Sequence, residues 1–150
     1  MARLRFALST TAEVALTTAL KTVVQIGSPA NQRVAVRGFG IAFDGVSSTA
    51  GGAEVLLVIQ TTGSQAGTSL VGVKDLRGTT EAVNSTGLQN FTAEPTNSDI
   101  LRSYTVNPMT GYERAFAQDE EIELAGGTRL GIVVRASAAV NANAFLNAEE

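Results

Sequence analysis

Apolar and polar residues alternate with a period of two in short runs broken by turn residues, and that pattern limits the folds open to this chain. Leu4, Phe6 and Leu8 alternate with Arg3, Arg5 and Ala7. Leu20, Thr22, Val24 and Ile26 form the next stripe, closed by Gly27, Ser28 and Pro29. Further on, Ile122 and Leu124 alternate with Glu121 and Glu123, and Leu130, Ile132 and Val134 follow. Successive side chains on a strand point to opposite faces, so each stripe reads as the buried face of a half-covered strand. The spacing of these runs predicts an all-β chain of roughly eight to ten strands, arranged as a sandwich or barrel. A chain of 150 residues suits a single domain, residues 1–150, large enough to build a core unaided. Within it, residues 1–19 read as an N-terminal arm or an edge strand.

Four local features refine this reading. Thr10 and Glu13 have capping-box spacing, and Leu16, Leu20 and Val23 recur at helical intervals, so a short helix over 11–19 competes with extended chain. The Thr-rich, β-branched composition favours the extended form. Between Arg33 and Phe43 the apolar phase switches from Val34 and Val36 to Phe39, Ile41 and Phe43. A regular strand cannot bury both sets on one face, which predicts a β-bulge at Gly38 or Gly40. Around Gly126 and Gly127, pairing Leu124 with Leu130 and Ile122 with Ile132 predicts a hairpin with the three-residue loop Gly126, Gly127, Thr128. Finally, Val55, Leu56, Leu57, Val58 and Ile59 are apolar on both faces. One face meets the opposing sheet; the other calls for a loop, an arm or another copy, which makes these five residues the candidate oligomer interface.

The same residues exclude most chemistry. The chain has neither cysteine nor histidine, which removes thiol nucleophiles, Ser-His-Asp triads, zinc sites of the usual kinds and two-His iron sites. No catalytic residue, metal ligand set or cofactor site is expected. The densest carboxylates, Asp119 to Glu123, read as a solvated strand face, with a weak cation site as the alternative. Net charge is −3, with residues 1–75 carrying six basic and four acidic side chains and residues 76–150 five and ten. No basic cluster accompanies that balance, so no nucleic-acid partner is expected. The longest apolar runs fall far short of the ~20 residues of a membrane span. The N-terminal apolar stretch is broken by Ser9, Thr10, Thr11 and Glu13, so no signal peptide and no membrane partner are expected. Arg3 and Arg5 form a basic pair near the N-terminus, and Tyr112 follows a turn at Asn107 to Gly111; these three are the candidate partner contacts.

The stretch from Lys21 to Arg33 leading into Val34 to Gly45, then Ala93 to Thr96, the Glu121 to Ile132 segment and a last strand ending in Glu149 and Glu150 together resemble the small jelly-roll head decoration, or cement, proteins of tailed bacteriophages. The likeness is one of layout, from about Leu20 to Glu150, and transfers no individual residue. It implies a jelly-roll-like antiparallel β-sandwich that forms a homotrimer and binds the lattice of the major capsid protein. It also implies a virion location on the outer capsid surface after synthesis in the host cytoplasm. Such a protein would work by stabilising the mature shell.

Overall fold

In the computed structural model, residues 3–45, 51–61, 67–75, 78 and 80–150 are described here. Among them the chain forms thirteen strands and no helix: β1 (Arg5–Ser9), β2 (Val14–Leu16), β3 (Lys21–Gly27), β4 (Val34–Phe43), β5 (Ala53–Gln60), β6 (Thr68–Leu70), β7 (Val73–Lys74), β8 (Thr86–Gln89), β9 (Asn97–Val106), β10 (Tyr112–Ala115), β11 (Ile122–Leu124), β12 (Arg129–Arg135) and β13 (Val140–Glu149). The count exceeds the eight to ten expected because β2, β6, β7 and β11 span only two or three residues. Runs that short carry no legible alternation.

Two antiparallel sheets pack face to face as a β-sandwich. One has the order β10-β4-β13-β1-β7, with β11 also pairing β4 and β2 also pairing β13; the other runs β6-β8-β3-β12-β5-β9. The core between them contains Phe6, Leu8, Val24, Ile26, Phe39, Leu57, Leu124, Leu130, Ile132 and Leu146. Segment 11–19 is extended, with β2 bonded to β13. Within the N-terminal region β1 is not an edge strand, since it lies between β13 and β7 and pairs with both, whereas β2 pairs with β13 alone.

The phase switch in β4 is a bulge, displaced by one residue from its expected position. Gly38 pairs with Asn147 and Val36 with Ala148, leaving Arg37 as the extra residue. Both apolar sets reach the core as a result. The two glycines serve close approach. A Cβ at Gly38 would stand 2.7 Å from the Arg114 carbonyl oxygen, and one at Gly40 would collide with the Phe145 ring, which lies across it from β13.

Two expectations are corrected. The Leu20–Ile26 stripe is not continuous, because a second bulge leaves Val23 unpaired between Thr22 and Val24. Val23 joins the core, Thr22 turns to the outer face, and Leu20 is exposed. Nor do β11 and β12 form a hairpin: β11 pairs with β4 in one sheet, while β12 pairs with β3 and β5 in the other. Leu124 and Leu130 therefore share the core from opposite layers. The connection is a turn in which Thr128 N–H donates to the Ala125 carbonyl at 3.1 Å, with Gly127 at φ +80°. Positive φ at that third position suits glycine. Ser28 anchors the turn to the end of β3, its hydroxyl donating to the Ala125 carbonyl.

Candidate functional site

The ionisable side chains fold onto one another. Glu149 on β13 is 4% exposed and accepts from Arg3 and from Arg37, the latter at 2.6 Å, with Arg5 Nε at 3.6 Å. Arg37 also pairs with Glu121 at 3.2 Å. The bulge thus aims Arg37 at two carboxylates, Glu149 on β13 and Glu121 just before β11. Burial pushes the Glu149 carboxyl up, but hydrogen bonds from Arg3 and Arg37 outweigh it and hold the group below the usual carboxylate range. Arg3 and Arg5, expected as partner contacts, are therefore ion-paired within the chain, although each is about three-fifths exposed. Any outside acid would compete with Glu149 for them. Sequence reasoning gave no role to Glu149; a glutamate in phase with outward-facing residues of the last strand was the available signal.

The acidic run is dispersed in the same way. Glu120 binds Arg114 at 3.0 Å, Glu121 binds Arg37, and Glu123 lies 3.8 Å from Arg33. Among the described residues no group of three or more potential ligands converges on a cation position. Glu94 accepts from the Thr22 backbone and pairs with Lys21, tying the loop after β8 to β3. Asp44 accepts from both the backbone and side-chain N–H groups of Asn141, which hold its carboxyl low.

The five residues of the candidate oligomer interface are covered within a single chain. Val55 and Leu57 belong to the main core, while Leu56 and Val58 form a second buried cluster with Val133 on the other face. Ile59 is half-buried. The premise that one face of this strand awaits another subunit is not met.

Exposed apolar surface lies elsewhere. The strand β9 closes one edge of its sheet and carries Ile100 at 61% and Leu101 at 43% exposure. Beside it is an aromatic corner joining the two sheets. Phe39 stands 5.4 Å from Tyr104, 5.9 Å from Tyr112 and 6.1 Å from Phe116 between ring centroids, and Tyr104 and Tyr112 are 5.3 Å apart. The Arg102 guanidinium lies 4.5 Å above the Phe116 ring, a cation–π contact. The Tyr104 hydroxyl is the one buried side-chain polar atom without a hydrogen-bond partner among the described residues.

Tyr112 does not sit at a loop tip: it opens β10, with its ring on the aromatic corner. It also borders an open cavity of about 450 Å³ whose wall includes Glu113, Asn143 and Phe145. Among the described residues, Tyr112 and Glu113 are the only ionisable side chains lining that cavity. That set offers no nucleophile with an adjacent base and no pair of carboxylates. At the opposite edge of the same sheet, Val71 is 84% exposed beside the short strand β7. Comparison with protein-family models, curated proteins and solved structures finds no match to this chain.

Proposed function

We propose that this chain is a non-enzymatic structural protein of a virion, a decoration protein that binds the outer surface of a bacteriophage head as an oligomer of identical copies and stabilises the mature shell. The observation that carries the reading is the use of charge. The Arg3, Arg5, Arg37, Glu121 and Glu149 cluster braces strands against each other, and the pairs Arg114–Glu120 and Arg135–Glu54 do the same. Charges committed to each other in this way suit a rigid body that presents surface to a partner. Attachment through several weak contacts on one such body becomes strong by avidity. Binding only the assembled lattice then shifts stability towards that state.

The test is co-sedimentation with undecorated mature heads of tailed phages. Saturable pelleting, with the decorated heads surviving higher temperature than bare ones, is the expected result. Failure to pellet across a panel of such heads would sink the proposal. Tyr112 beside its cavity favours a second reading, a tail, fibre or receptor-binding module that contacts carbohydrate. Clear hits on a glycan array that disappear in Tyr112→Ala would select it.

A further inference from the structure

The exposed edge strand β9 reads almost the same in both directions around its midpoint: Ser98, Asp99, Ile100, then Leu101, Arg102, Ser103. In an antiparallel pair formed with a second β9, Asp99 would stand opposite Arg102 and Ile100 opposite Leu101; Ser98, a second extra residue between Asp99 and Asn97, lies outside this ladder. Each of these pairings is favourable or neutral.

Geometry ordinarily forbids this. Two identical strands related by a twofold axis place residues of one face opposite each other, so partners must share a face within one strand. Asp99 and Arg102 are three apart and would face opposite sides of a regular strand. The observed register removes the obstacle. Asp99 pairs with Ile59 and Arg102 with Leu57, two residues apart on β5, because Leu101 is an extra residue between Arg102 and Ile100. The bulge therefore brings Asp99 and Arg102 onto one face. Ile100, opposite Val58, lies on the other.

Three further observations fit a self-contact. Ile100 and Leu101 are the largest exposed apolar pair on this edge. Beneath them lies the outer cluster Leu56, Val58 and Val133. Among the described residues, Asp99 has a hydrogen bond only from its neighbour Ser98, at 3.4 Å, and no arginine or lysine within ion-pair distance. The strand also contains neither proline nor lysine, two residues that commonly blunt an exposed edge.

From the register and the charge order we infer that two copies of this chain pair through β9 across a twofold axis, joining their six-stranded sheets into one. Asp99 and Arg102 form two symmetric ion pairs there, around a centre of Ile100 and Leu101. The inference does not depend on the capsid reading, since the contact forms in solution without a head.

Sedimentation equilibrium and cross-strand charge exchange test it. The intact protein should sediment at twice its 15.5 kDa mass. Asp99→Arg should weaken association roughly a hundredfold by opposing like charges, and D99R/R102D should recover most of the loss. Arg102 also packs on Phe116, so Leu101→Lys serves as a second probe. Leu101 is exposed in the single chain, and its substitution should give a folded monomer with an unchanged circular dichroism spectrum. A wild-type monomer at every accessible concentration would overturn the inference. So would a trimer or other oligomer indifferent to both D99R and L101K. Head binding by a monomeric wild type would overturn the pairing and the oligomeric part of the decoration reading, while leaving attachment to the head intact.

Discussion

At the scale of single residues, the least expected feature is a polar bridge laid across a glycine. Gln25 on β3 and Gln60 on β5 are each 2% exposed, with β12 running between their strands. Gln25 Nε2 donates to Gln60 Oε1 at 2.6 Å, and Gln60 Nε2 donates to Thr22 and Asn97, both at 2.9 Å. The bridge passes over Gly131, where a Cβ would sit 2.5 Å from Gln60 Oε1. Gly131→Ala should therefore displace Gln60 and leave buried amide groups unsatisfied, a loss of roughly 1–3 kcal/mol. Urea denaturation checks it, and a loss near zero would show that the bridge can reseat. Glu149 makes a second prediction. Its folded value is lowered, so its stabilisation is complete above the ordinary glutamate value of about 4.3 and is lost as pH falls through the depressed one. Glu149→Gln should cost about 2 kcal/mol at neutral pH. The gap from wild type should close as melts are taken from about pH 7 to about pH 3. A gap that stays constant with pH would assign the loss to packing alone. Neither residue stood out in the sequence. A buried glutamine and a surface glutamine read alike until the strands that flank them are known.

At the scale of elements, sequence pattern succeeded where one face of a strand met the core and the other met solvent. Leu4, Phe6 and Leu8 illustrate this, as does Ile122 with Leu124, because burial and alternation then coincide. The phase switch from Val36 to Phe39 was equally legible, since two incompatible stripes in one strand require an extra residue. Its position at Arg37 was not, because a bulge is placed by what the bulged side chain can reach, here Glu121 and Glu149. The misread hairpin has a related cause. Apolar stripes on consecutive strands look the same whether the strands lie side by side or face each other across a sandwich. What distinguishes them is the anchor at Ser28, ninety-odd residues away in the chain. That anchor makes an element-level prediction. Ser28→Ala removes the hydroxyl that donates to Ala125 and accepts from the Thr128 N–H, and should cost about 1–2 kcal/mol. Hydrogen exchange should quicken at Gly127 and Thr128 ahead of the β12 core. Uniform acceleration across the sandwich would instead mean that the turn and the sheets open together.

At the scale of the whole molecule, the chain closes on its own ends. The last strand, β13, occupies the middle of its sheet, flanked on one side by β4 and on the other by β1 and β2. Beyond it, the Glu150 carboxylate accepts from the backbone N–H groups of Asn84 and Ser85 and from the Ser85 hydroxyl. The seven-stranded sheet can therefore not be completed until the C-terminal strand is available, and nearly every pairing that strand makes spans most of the sequence. Folding should accordingly be slow for a domain of this size, in the millisecond-to-second range typical of nonlocal β topologies. Truncation before Phe145 removes Leu146 and Ala148 from the core, the register partners of β1, and the carboxylate that collects three arginines. The truncated chain should be unfolded, with neither a sheet-like circular dichroism spectrum nor dispersed amide resonances. A folded truncation would require β1 to pair directly with β4. The chain has no cysteine to form a disulfide, and among the described residues no group of three or more potential metal ligands converges. Melting of the full chain should then be the same with and without reductant or chelator, and any fall in melting temperature with chelator would reveal a bound ion that contributes to the fold.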